Sequence, residues 1–125
     1  MDTLIIKSTE YTPEITLDKE QNIFEFKGNS LPENAVRFYQ PVIDWFREYL
    51  NNPNSVTDVY FNLGYINSSS SKKIMDLLEV LEDIIEQSDN KVNAFWRYEE
   101  DDEVNEDTGK AFQEITSLPF KLEVY

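Results

Sequence analysis

Apolar and polar residues alternate in some stretches of this chain and recur at helical spacing in others. Thr12 to Leu17 reads as a strand with Ile15 and Leu17 on one face. The polar run Asp18 to Asn22 is turn material. Ile23 to Lys27 then alternates, with Phe24 and Phe26 inward, Glu25 and Lys27 outward, and Gly28 as the stop. Together these predict an antiparallel hairpin. From Pro32 to Leu50 the period changes: Val36, Tyr39, Val42, Ile43, Phe46, Tyr49 and Leu50 recur at helical spacing. Pro41 lies inside this pattern and has no N–H to donate, which predicts a kink there or a helix that starts near it. Val56 to Leu63 follows as a strand, with Val59, Phe61 and Leu63 on one side and Tyr60 opposite. Its apolar character on both faces predicts a central strand in a sheet covered on both sides.

Gly64 to Asn67 forms the exit from that strand. Beyond it, Ile74, Leu77, Leu78, Leu81, Ile84 and Ile85 make one stripe, with Glu79, Glu82, Asp83 and Glu86 opposite. This is the clearest helix in the chain. Val92 to Tyr98 is a further strand. The acidic run Glu99 to Glu103 leads into a third helix that carries Ala111, Phe112 and Ile115 and ends before Pro119, and Phe120 to Tyr125 is the last strand. The order β-β-α-β-α-β-α-β predicts a single α/β domain over residues 1–125, with a mixed, largely parallel five-stranded sheet flanked by about three helices.

Composition narrows what such a domain does. Eleven Lys and Arg against 25 Asp and Glu give a formal charge of −14. So acidic a surface repels phosphate backbones and anionic lipid, so neither nucleic acid nor a membrane surface is an expected partner. There is no cysteine for a disulfide or thiolate, and no histidine for a triad or an imidazole metal site. Three glycines make no phosphate-cradling loop. The Leu4-Ile5-Ile6 run is too short for a secretory core, and no stretch approaches the roughly 20 apolar residues of a spanning helix. A cytoplasmic protein that is not an enzyme and holds no cofactor or metal is the expectation. Glu79 and Asp83 read as solvated carboxylates on a polar helix face. Glu99 to Glu103 lacks the spacing and central glycine of an EF-hand loop, and its charges suit a helix N-terminus.

The candidate chemistry lies in Asn67-Ser68-Ser69-Ser70-Ser71, between the central strand and the clearest helix. One reading is a cap: a serine there accepts a bond from an orphan amide and contributes about 1 kcal/mol. The other is a phosphorylation site, because a helix N-terminus favours an anion and phosphate adds about −1.5 to −2 charges. Lys72, four residues after Ser68, is placed to pair with a phosphate on Ser68, or simply to be solvated.

The chain resembles the SiaC family of bacterial regulatory phosphoproteins, whose fold is similar to the STAS domains of anti-sigma-factor antagonists. The matching residues are Thr12-Pro13-Glu14-Ile15, Gly28-Asn29-Ser30-Leu31-Pro32-Glu33-Asn34, Asp44-Trp45, Tyr49-Leu50, and Asn67-Ser68-Ser69-Ser70 followed by Lys72. The resemblance implies a serine/threonine kinase that phosphorylates the hydroxyl after the asparagine and a PP2C-type phosphatase that removes the phosphate. It also implies an unphosphorylated form that binds an effector, in the best-known branch a diguanylate cyclase, and raises cyclic-di-GMP in favour of biofilm growth. Carried over, the acceptor is Ser68, with Ser69 as its rival because the family commonly has threonine at the first position. Tyr65, Asn67, Ser69 and Ser70 make up the expected contact surface. Alternatives are an anti-sigma-factor antagonist, although the glycine usual after the phosphoserine of that group is absent, and a plain interaction module whose serines only cap a helix.

Overall fold

The computed structural model describes all residues, 1–125. Its elements are β1 (Leu4–Ile6), β2 (Glu14–Asp18), β3 (Ile23–Ser30), α1 (Ala35–Tyr49), β4 (Val56–Ile66), α2 (Ser68–Gln87), β5 (Lys91–Tyr98), α3 (Glu103–Ile115) and β6 (Phe120–Val124). The six strands form one sheet in the order β1-β2-β3-β4-β5-β6. β1 to β3 pair antiparallel, and β3 to β6 pair parallel through helical crossovers.

The sheet therefore has six strands, not five. β1 escapes pattern reading because three residues hold no full alternation. It exists because Leu4 and Ile6 pair with Leu17 and Ile15 and rest against the core. Two strands also outrun their expected ends: β3 continues through Gly28 to Ser30, and β4 continues to Ile66. The β3–β4 register slips between Gly28 and Ser30, and Gly28 there adopts φ +122°, where a side chain would be strained.

The expectation of a sheet covered on both sides is corrected. Alternate residues along the centres of β2 to β5 are buried and share one face: Ile15 and Leu17, Phe24 and Phe26, Val59, Phe61 and Leu63, and Ala94 and Trp96. All three helices lie on that face. α1 packs Trp45, Phe46 and Tyr49 around Phe24, α2 buries Ile74, Leu77, Leu81 and Ile84, and α3 sets Phe112 against Trp96. The opposite face bears no element. Tyr60, the apolar residue that suggested a second covered face, stacks instead on Phe95 at 4.7 Å.

α1 runs unbroken through Pro41, which sits on its solvent side. The Arg37 carbonyl, which position 41 cannot serve, can be hydrated there. In α3 the inward residues are Asn105, Gly109 and Phe112, whereas Ala111 and Ile115 are exposed. A Cβ on Gly109 would overlap Trp96 and Leu122, so the missing side chain sets how closely α3 approaches the sheet. No helix is long and apolar enough to cross a membrane.

Candidate functional site

Because β3 and β4 run parallel, the loops that leave them emerge side by side. Asn29 Oδ1 accepts from the amide of Tyr65 at 3.0 Å, and a Cβ on Gly64 would stand 2.6 Å from that oxygen. Gly64 is thus the residue that lets the Asn29 side chain reach the neighbouring loop. The second link is Asn67. Its amide donates to the Ser30 carbonyl (3.0 Å) and its Nδ2 to the Pro32 carbonyl (3.3 Å).

Asn67 also begins α2. It has extended backbone angles, its Oδ1 accepts from Ser70 N–H at 2.9 Å, and its carbonyl takes the first helical bond, from Ser71. The cap is therefore an asparagine, which corrects the reading in which one of the serines caps the helix. All four serines are helical. Of the amides that a helix start leaves without an intrahelical partner, those of Asn67 and Ser70 are satisfied as described, leaving those of Ser68 and Ser69 for water or an anion.

The four hydroxyls then divide by helical phase. Ser68 is exposed and its hydroxyl bonds to no other group of the chain. Ser69 is exposed, but its Oγ donates to Asn67 Oδ1 at 3.2 Å. Ser71 is half-buried. Ser70 is fully buried, which corrects its expected place on the contact surface. It points inward to join Ser30 and Tyr39, with Ser30 Oγ donating to Ser70 Oγ at 2.8 Å and Ser70 Oγ donating to the Ser30 carbonyl at 3.1 Å. Since the one hydroxyl proton of Ser30 goes to Ser70, the Tyr39 hydroxyl donates in the 2.6 Å contact with Ser30 Oγ. Burial pushes the Tyr39 phenol up to about 12, against the opposing effect of its hydroxyl neighbours. The phenol is neutral at every physiological pH.

Outward from this buried chain, Tyr65 is 71% exposed, Asn67 is half-buried, and Lys72 is exposed one turn beyond Ser68. Lys73 is held by Asp76 at 3.0 Å, while Lys72 has no ion-pair partner. The structure thus brings Tyr65, Asn67, Ser68, Ser69 and Lys72 to one end of the sheet and withdraws Ser70. In the acidic run Asp102 caps α3 by accepting from Asn105 N–H at 3.0 Å, and Glu99 and Asp101 line a shallow groove with Tyr65.

Ser30 and Tyr39 were missed as supports of this end of the fold. The inward alternation of Phe24 and Phe26, carried two steps further, lands on Ser30, and a polar residue at an inward position demands a buried partner. Tyr39 was legible only as part of an apolar stripe, because nothing in its spacing shows where its hydroxyl ends.

A family model described as SiaC family regulatory phosphoprotein matches residues 6–125. A protein of Pseudomonas aeruginosa strain UCBPP-PA14, PA14_02130, is 31% identical over 125 residues, covering all of this chain and 98% of that protein. SiaC of Pseudomonas aeruginosa superposes with a TM-score of 0.90 at 30% identity, with both chains covered completely. The crystal structure of the diguanylate cyclase SiaD in complex with its activator SiaC from Pseudomonas aeruginosa contains a chain that superposes with a TM-score of 0.88 at 30% identity, covering 98% of this chain and 99% of that one. With its six-stranded mixed sheet, three helices and a serine-bearing helix start, the chain belongs to the SiaC family of regulatory phosphoproteins.

Proposed function

We propose that this chain is a phosphorylation-switched activator: unphosphorylated, it binds and stimulates a diguanylate cyclase, and phosphate on Ser68 ends the contact. The observation that carries the reading is the division of the serines, which leaves Ser68 with the one exposed and unengaged hydroxyl of the first two. The likeness to SiaC, described as the activator of SiaD, supplies the class of effector. In this reading the chain is one STAS-like domain that works in the cytoplasm, is modified by a serine/threonine kinase and is restored by a PP2C-type phosphatase.

The mechanism is electrostatic. A phosphate on Ser68 meets the free amides of the helix start, the positive end of the helix dipole and Lys72, so the domain accommodates it. A partner surface shaped for a neutral hydroxyl cannot. Covering a dianion without a counter-charge costs several kcal/mol, and about 1.4 kcal/mol is already tenfold in affinity. Ser69 serves less well, because phosphate there removes the donor to Asn67 Oδ1 and sets negative charge against that oxygen. The test is site-localised phosphopeptide mapping of protein isolated from its host, with cyclase stimulation measured for Ser68→Ala. The reading expects phosphate on Ser68 and full, unswitchable stimulation by the alanine variant. Phosphate confined to Ser69, or no stimulation of any cyclase by the unmodified protein, refutes it.

A further inference from the structure

The bare face of the sheet carries charge in an ordered way. Along one row of paired residues, strand by strand from β3 to β6, it reads Glu25, Tyr60, Phe95, Lys121. The row above it carries Lys27 on β3 and Glu123 on β6, the reverse order of sign, and continues past Lys27 to Glu14 on β2. At the centre, the rings of Tyr60 and Phe95 stack 4.7 Å apart at 13°, with the Arg97 guanidinium 4.5 Å above Tyr60. Glu25, Lys27 and Lys121 make no ion pair within the chain, and Glu123 reaches only Arg97, at 3.4 Å. They have no chance to pair with one another across the row, because three strand spacings, about 14 Å, separate β3 from β6.

We infer that this face is a self-association surface and that its occupant is a second copy of the chain. A two-fold axis parallel to the strands, above the seam between β4 and β5, exchanges β4 with β5 and β3 with β6. It sets Tyr60 over Phe95 of the second copy, Glu25 over its Lys121, and Lys27 over its Glu123. Both rows satisfy the same axis: the β3 charges meet opposite charges on β6, while Arg97 stands over Asn62 of the second copy and Glu14, beside Lys27 on β2, lies beyond the overlap. Self-complementarity of this kind is what a two-fold interface between identical chains requires. The facing sheets lie about 10 Å apart, a gap that a Lys and a Glu side chain reaching from opposite sides can bridge. Four strands of overlap cover on the order of 500 Å² per copy, the small end of specific interfaces, so the dimer is weak and reversible. The net charge of −14 on each copy opposes it, and at about 0.15 M salt that long-range repulsion is screened beyond about 8 Å while the contact pairs persist. The inference is independent of the phosphorylation switch, whose residues lie at the end of the sheet and not on this face.

Sedimentation velocity of the full chain at about 0.15 M salt, from micromolar to about 1 mM protein, tests the inference. Wild type is expected to shift from its 14.7 kDa monomer to dimer across that range. Glu25→Lys and Lys121→Glu should each weaken dimerisation about tenfold, since each turns two attractive pairs repulsive. The double variant Glu25→Lys/Lys121→Glu should restore it, and in doing so shows that both substitutions leave the fold intact. A wild type that stays monomeric throughout overturns the inference. So does a dimer indifferent to both single reversals, or a double variant as monomeric as its parents.

Discussion

Replacing Asn67 by alanine removes two unlike interactions that carry stability, together with an exposed acceptor for Ser69 Oγ that water replaces. Oδ1 accepts the Ser70 amide at 2.9 Å as the cap of α2, and Nδ2 donates to Pro32 across the two loops at 3.3 Å. Loss of an asparagine cap costs about 1 kcal/mol, and loss of a long, half-exposed hydrogen bond costs about 0.5 kcal/mol. A destabilisation of about 1.5 kcal/mol is therefore expected. With an unfolding entropy of about 2.1 cal/mol/K per residue over 125 residues, that lowers Tm by about 6 °C. Asn67→Asp separates the contributions. It keeps the acceptor, adds a charge that the helix start favours, and loses only the donor to Pro32. Its stability should fall within about 0.5 kcal/mol of wild type. Thermal and urea unfolding followed by circular dichroism measure both variants. An alanine variant as stable as wild type, or an aspartate variant as damaged as the alanine one, refutes the assignment of Asn67 as the cap.

Other expectations follow from the same buried contacts. Ser70→Ala strands the hydroxyl proton of Ser30 in the core and should cost about 1–3 kcal/mol in urea unfolding, whereas Ser68→Ala should cost under about 0.5 kcal/mol. Tyr39 titrates at about 12 when folded against 10.0 unfolded, so the native state holds its proton longer. That contribution is complete below pH 10 and is lost as pH rises from 10 to 12, about 2–3 kcal/mol in all. Tyr39→Phe should flatten that part of the alkaline limb in denaturant titrations, and an unchanged limb contradicts the burial of the phenol. Gly109→Ala should lower stability by about 1–3 kcal/mol despite alanine's better helix propensity, because the new methyl meets Trp96 and Leu122.

How much of this was legible in the sequence depended on whether periodicity or long-range contact settled each point. The inward faces of β2 to β5 and the stripe of α2 follow from spacing alone, since alternation and helical recurrence are local. β1 was not legible, because a three-residue strand exists only through its partner. The bare face of the sheet was misread because Tyr60 counts as apolar by type. What decides its environment is Phe95, 35 positions later in the chain, and the absence of a second helical layer. At the candidate site, the serine run marks where β4 hands over to α2, and helical phase sorts its members. A turn of about 100° per residue takes Ser70 into the core and leaves Ser68 outside. The cap was assigned to the wrong residue type because Asn and Ser serve equally well there and only the backbone angles choose. Ser30 and Tyr39 meet Ser70 through contacts that no local pattern contains.

The proposed switch rests on what one phosphate does to the hydroxyl at position 68. Phosphoserine can be installed there during translation, and the affinity of that protein for the cyclase compared with that of the unmodified chain by isothermal titration calorimetry. A loss of at least about a hundredfold is predicted, the equivalent of about 2.7 kcal/mol, with both proteins unfolding at the same temperature within a few degrees. Equal affinity for the two forms contradicts the account, because a partner that tolerates the dianion at residue 68 is not controlled through it.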